Sequence, residues 1–122
     1  MVTITSFRHA LRGLKYVMSS ERNARIHLSL AVLALVASIV LRIGLEEWLF
    51  VIVSITLVFF AEIANTAIEK TLDIVSPENN FQVKIIKDMC AAGVLVTAFS
   101  AVLVALVVFV PRVTLLVQGL VK

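Results

Sequence analysis

The sequence predicts an all-α integral membrane protein: three membrane helices preceded by an amphipathic helix at the membrane interface, in a single domain over residues 1–122. Three observations carry this. The chain is 61% hydrophobic and only 16% charged, where a soluble domain carries ~25% charged residues. Its apolar residues gather into three long uncharged runs. Its most ordered polar pattern, Glu62, Asn65, Glu69 and Asp73, falls at i, i+3, i+7 and i+11, which is one stripe of a helix.

Residues 5–20 give the interfacial helix. Phe7, Leu11, Leu14 and Met18 share one face, and Arg8, Arg12, Lys15 and Ser19 the adjacent one, the pattern of a helix lying in the headgroup region. This stretch has no apolar core of the kind a cleavable signal peptide needs. Residues 19–27, SSERNARIH, form a polar elbow in which Ser19 or Ser20 is the expected cap of the next helix. Leu28–Leu41 is uncharged for 14 residues. That is short of the ~20 needed to cross a bilayer, so the first span is drawn over 28–45, with Arg42 reaching back to the headgroups. Gly44, Glu46 and Glu47 form a short loop of ordinary charges, and Trp48 anchors the second span, 48–73, at the interface. Ser76–Asn80 is a turn, after which a helix restarts at Phe81. Met89–Val110 is the clearest span, 22 residues without a charge. Pro111-Arg112 is expected to end it, with a short apolar tail beyond.

Five basic residues precede the first span: Arg8, Arg12, Lys15, Arg22 and Arg25. The second loop holds Lys70, Lys84 and Lys87, whereas the first holds Arg42 alone. By the positive-inside rule the N-terminus and second loop are cytoplasmic and the first loop and C-terminus lie outside. The net charge of +3 therefore speaks to topology and lipid headgroups, and no nucleic-acid partner is expected. One cysteine, Cys90, excludes a disulfide or a Cys-based metal site within the chain. His9 and His27 are isolated and are expected to be interface or capping residues.

The topology brings the elbow, the acidic stripe and Lys87-Asp88 to one membrane face. Acids in a membrane helix are costly and point to function; the bland alternative is a helix that has already left the membrane by Glu62. Such carboxylates suit a hard cation, a general base, or a proton or cation path. Glu62 and Glu69 stand ~10 Å apart along a helix, so one can hold metal while the other addresses a different reacting group. No Walker A or protein-kinase motif is present. Three helices are too few to enclose a nucleotide, which points to a site shared between protomers. Ala91, Ala98, Ala101 and Ala105 are candidates for close helix packing.

EIANTAIEKTLD (62–73), KDMCAAGVLV (87–96) and SERNARIH (20–27) together resemble the prokaryotic diacylglycerol kinase family of small membrane lipid kinases. The elbow and EWLF (47–50) look closest to its undecaprenol kinase branch. The resemblance covers about Phe7 to Val110. It implies a homotrimeric bundle in the bacterial inner (plasma) membrane, multi-pass, with a cytoplasmic N-terminus. It also implies Mg²⁺-dependent transfer of the ATP γ-phosphate to a lipid alcohol, either undecaprenol or diacylglycerol.

On the matching positions, Glu62 is the general base and Glu21 and Glu69 are the metal pair. Glu21, Asn65, Glu69, Glu78, Asn80, Lys87 and Asp88 are the nucleotide contacts, and Arg25 joins Glu62 at the lipid substrate. The turn reads SPENNF where relatives often carry an aromatic-His pair, which weakens Asn79 and Asn80, and His9 stands where an aromatic is common. From another class, a small cation or proton transporter would also bury carboxylates, but Trp48–Ala61 has no ionisable group to form a path.

Overall fold

The computed structural model describes residues 4–78 and 80–120; Asn79 of the turn and Lys122 of the tail lie outside them. The described residues form four helices and no strand: α1 (Ile4–Ser20), α2 (Arg22–Val40), α3 (Leu45–Val75) and α4 (Phe81–Leu120). The last three are long and apolar enough to cross a membrane. At ~1.5 Å per residue, the 31 residues of α3 span about 46 Å and the 40 of α4 about 60 Å. Central α3 packs along α4 and also touches α2 and α1, whereas α2 and α4 scarcely meet. Hydroxyls inside the apolar helices bond back to the preceding turn. Ser38 Oγ donates to the Ala34 carbonyl at 2.7 Å, and Ser54 and Thr56 donate likewise to Phe50 and Ile52, so no hydroxyl proton among these three is left bare in an apolar medium.

The elbow is tighter than its polar sequence suggests. Only Glu21, in extended backbone, separates α1 from α2. Neither serine caps α2: Ser19 Oγ bonds the Tyr16 carbonyl and Ser20 Oγ the Glu21 carboxylate. The clasp comes from the other direction. Arg25 donates to the Met18 and Ser19 carbonyls at 3.2 and 2.9 Å, serving carbonyls that the end of α1 leaves open.

The first apolar helix stops at Val40 rather than running to 45. Arg42 takes a left-handed φ of 49°, and the N–H groups of Arg42 and Ile43 return to the Ile39 and Ser38 carbonyls. This is a Schellman stop, with arginine where glycine is usual. Ile43 then buries against Val51 and Val108. Glu47 is not an ordinary loop charge. Its Oε2 accepts the Gly44 N–H at 2.6 Å and Arg112 at 2.7 Å, tying the start of α3 to α4. Nor does Pro111 end the last span, since α4 continues to Leu120. A proline forfeits one intrahelical bond, and membrane helices tolerate that loss; here the Arg112–Glu47 pair holds the next residue in place.

Candidate active site

One side of α3 carries Glu62, Asn65 and Glu69 into a cleft of about 400 Å³. Asn23, Ile26 and His27 of α2 form the second wall, and Ala91, Val94, Leu95 and Ala98 of α4 the third. The sequence stripe thus holds in space over three of its four members. The fourth, Asp73, is exposed and receives Lys87 Nζ at 2.8 Å. Lys87 pairs across helices with Asp73 and not with its neighbour Asp88, since consecutive residues of a helix point to different faces.

Glu62 is only 3% exposed. His27 Nε2 lies 3.2 Å from its Oε1, but the two are not aligned as a hydrogen bond. Glu62 Oε1, Asn65 Oδ1 and Thr66 Oγ1 are all buried without a hydrogen-bond partner among the described residues. An unsatisfied buried polar atom typically costs ~1–3 kcal/mol, and three within two turns mark a place where stability has yielded to another requirement. Glu21 and Glu69 repel the Glu62 charge while His27 attracts it, so all three carboxylates share one electrostatic neighbourhood. Glu21 lies outside the cleft lining, half-buried at the α1–α2 break.

The other expected residues fall differently. Arg25 is engaged with the end of α1 and does not line the cleft. Asn80 Oδ1 accepts the Val83 N–H at 2.9 Å and so caps α4. Glu78 and Asp88 are exposed and also lie off the cleft. Among the described residues no three acid, histidine or cysteine side chains converge as a metal cage.

From sequence, Asn23 and Thr66 receive no role and His27 only that of an interface or capping residue. Asn23 and His27 are four residues apart on α2, a spacing that sets them on one face, and that was the available signal. Ala91 and Ala98 line the cleft, where their small side chains leave room. Ala98, Ala101 and Ala105 do the same in a second, almost wholly apolar groove of about 430 Å³. The groove runs from His27 down α2 and α4 to Val113, with α3 as its floor, and shares His27 and Ala98 with the polar cleft.

The family model for prokaryotic diacylglycerol kinase matches residues 8–109. The chain is 32% identical over 107 residues to the undecaprenol kinase of Bacillus subtilis, covering 88% of this chain and 87% of that one. It is 35% identical over 104 residues to the diacylglycerol kinase of Synechocystis sp., covering 83% of this chain and 58% of that longer relative. No solved structure gives a significant match.

Proposed function

This chain belongs to the prokaryotic diacylglycerol kinase family and is a lipid kinase, and from that premise we propose that it transfers the γ-phosphate of ATP, with Mg²⁺, to the hydroxyl of a membrane lipid alcohol. Undecaprenol is our first substrate and diacylglycerol the second; the relative named undecaprenol kinase is matched along almost its whole length, which supports that order. The observation that carries the reading is Glu62: a carboxylate 3% exposed in the polar cleft, 3.2 Å from His27, which stands at the junction of that cleft with the apolar groove. A lipid's chain in the groove and its hydroxyl at the junction would meet a base there.

Glu62 takes the hydroxyl proton as the lipid oxygen bonds to the γ-phosphorus and the bond to the ADP oxygen breaks. Phosphoryl transfer depends chiefly on such positioning and on charge neutralisation. The donor set suits a hard cation: carboxylates on Glu21 and Glu69, and the unpartnered amide oxygen of Asn65. Mg²⁺ takes one or two carboxylates and leaves its other positions to water and phosphate. When bound it would neutralise phosphate charge. Lys87 is held by Asp73 in an exposed pair, the weak kind, and can exchange that partner for a phosphate; Asp88 follows it on α4. Arg25 and Asn80 contribute by fixing the α1–α2 corner and the start of α4, and Glu78 borders the latter.

In the same proposal, the 1–122 domain sits in the bacterial inner membrane with its N-terminus cytoplasmic and α1 along the interface, and three copies assemble with shared sites. Transport is disfavoured, since α3 has no ionisable side chain between Trp48 and Ala61. The test is transfer of ³²P from γ-labelled ATP to undecaprenol, dioleoylglycerol and other lipid alcohols in nanodiscs. Labelled phospholipid from either alcohol supports the reading; no labelled lipid from any of them overturns it.

A further inference from the structure

We propose that His27 is a positioning residue for phosphoryl transfer, holding the Glu62 carboxylate in the orientation from which it takes the lipid proton. The inference rests on the lipid-kinase reading, with Glu62 as base. It starts from a shortage of contacts. Glu62 Oε1 has no hydrogen-bond partner, and its neighbours on α3, Asn65 and Thr66, leave their own oxygens unpartnered too. A glutamate side chain has three rotatable torsions, and nothing on its own helix pins this one. The contact that reaches it comes from α2: His27 Nε2, 3.2 Å from Oε1, on a ring only 18% exposed.

Charge points the same way. Glu21 and Glu69 both repel Glu62, and His27 attracts it. No lysine or arginine lines the cleft to offset the repulsion, and Arg25, two residues before His27, is committed to the α1 carbonyls. Asn23 and Asn65 also bring amide N–H groups into the cleft, but the nitrogen that stands against the Glu62 carboxylate, at 3.2 Å, is that of His27. The present geometry is short of a hydrogen bond by alignment rather than by distance, and catalytic hydrogen bonds often tighten only when substrate is in place. Position completes the case. His27 lines both the polar cleft and the apolar groove, so it stands where a lipid's chain must end and its hydroxyl begin. A reacting group misplaced by 1 Å can cost ~10²-fold in rate.

The test uses the full chain in nanodiscs with undecaprenol or dioleoylglycerol, comparing wild type, His27→Ala, His27→Gln, Glu62→Gln and the His27→Ala/Glu62→Gln double variant. Binding of a fluorescent ATP analogue is read in parallel. We expect His27→Ala to lower kcat by about 10–100-fold with KM for ATP within about twofold. His27→Gln, whose amide N–H reaches a similar point, should recover most of that loss. In the Glu62→Gln background, His27→Ala should cost less than about twofold, because its effect runs through Glu62. Wild-type chain inert toward both lipids would bring down the lipid-kinase reading and the inference with it. Active wild type with His27→Ala within about threefold of it overturns the inference alone. So does a His27→Gln variant no better than His27→Ala, a loss of nucleotide affinity equal to the loss of kcat, or multiplicative costs in the double variant.

Discussion

Replacing Glu62 by glutamine should separate what this residue does for chemistry from what it does for folding. The substitution keeps shape and volume and removes only basicity. General-base catalysis contributes ~10²–10⁴-fold, so turnover should fall by that factor, equivalent to about 2.7–5.4 kcal/mol in the barrier at 1.36 kcal/mol per tenfold. Stability should move the other way. Glu62 is 3% exposed with Oε1 unpartnered, and two acids repel it. Glutamine inherits the unpartnered oxygen, so that cost cancels, while the burial of a charge, the largest influence on Glu62, disappears together with the smaller attraction of His27 and the repulsion of the two acids. Unfolding followed by the single tryptophan, Trp48, should therefore show a midpoint unchanged or raised. Transfer of ³²P gives kcat, and a fluorescent nucleotide gives ATP affinity, which should largely survive. Turnover above a tenth of wild type would refute the base assignment. Loss of nucleotide binding in Glu62→Gln but not in Glu69→Gln would exchange the roles of the two glutamates.

Glu21→Gln and Glu69→Gln should each weaken use of Mg·ATP severely, and the double variant should be scarcely worse than either, because both would act through one ion; Mg²⁺ titrations showing fully additive losses would dissolve the shared-metal pair. Mixing Glu21→Ala chains with Glu62→Gln chains should restore part of the activity in hybrids, and no recovery under verified mixing would confine each site to one chain. Arg42→Gly should stabilise the protein by up to about 1 kcal/mol in reversible unfolding, since glycine takes the left-handed conformation without the steric cost; a loss of stability would show that the arginine side chain matters more than its backbone.

The helices were legible wherever one physical rule governed them. Uncharged length fixed the existence of all three long helices, and helical spacing placed Glu62, Asn65 and Glu69 on one face. Their ends were not legible, because each is decided by a contact remote in sequence or by backbone geometry. Arg112 meets Glu47 from 65 positions away, and Arg42 adopts a conformation that its side chain does not announce. The family resemblance implies ligand contacts for Arg25 and Asn80; in the structure their side chains also satisfy helix ends, a use that polar residues at breaks commonly have and that the motifs do not announce. His27 was set aside as isolated because sequence isolation says nothing about a neighbour on another helix.

The case for a second copy at the site rests on polar groups rather than on exposed apolar surface. Leucines and valines point outward along α2, α3 and α4, but lipid tails cover such surface as well as protein does, so exposure gives helices no reason to associate in a membrane. The cleft makes a different demand. Its α4 wall is Ala91, Val94, Leu95 and Ala98, none with a hydrogen-bonding side chain, and its other walls contain two acids but no lysine or arginine. On the proposed ATP-dependent reading, a triphosphate set against two glutamates would need positive charge beyond one cation. Within the chain, Lys87 is the nearest candidate and begins committed to Asp73. The basic residues in surplus, Arg8, Arg12 and Lys15, lie exposed on α1, away from their own chain's cleft lining. Laying α1 of one protomer toward the open side of another's cleft would supply both the missing charge and the missing wall. Neutralising Arg8, Arg12 and Lys15 together should then raise KM for ATP, and mixed assemblies should show the effect at the neighbour's site. An unchanged KM would mean that these three serve only the lipid headgroups.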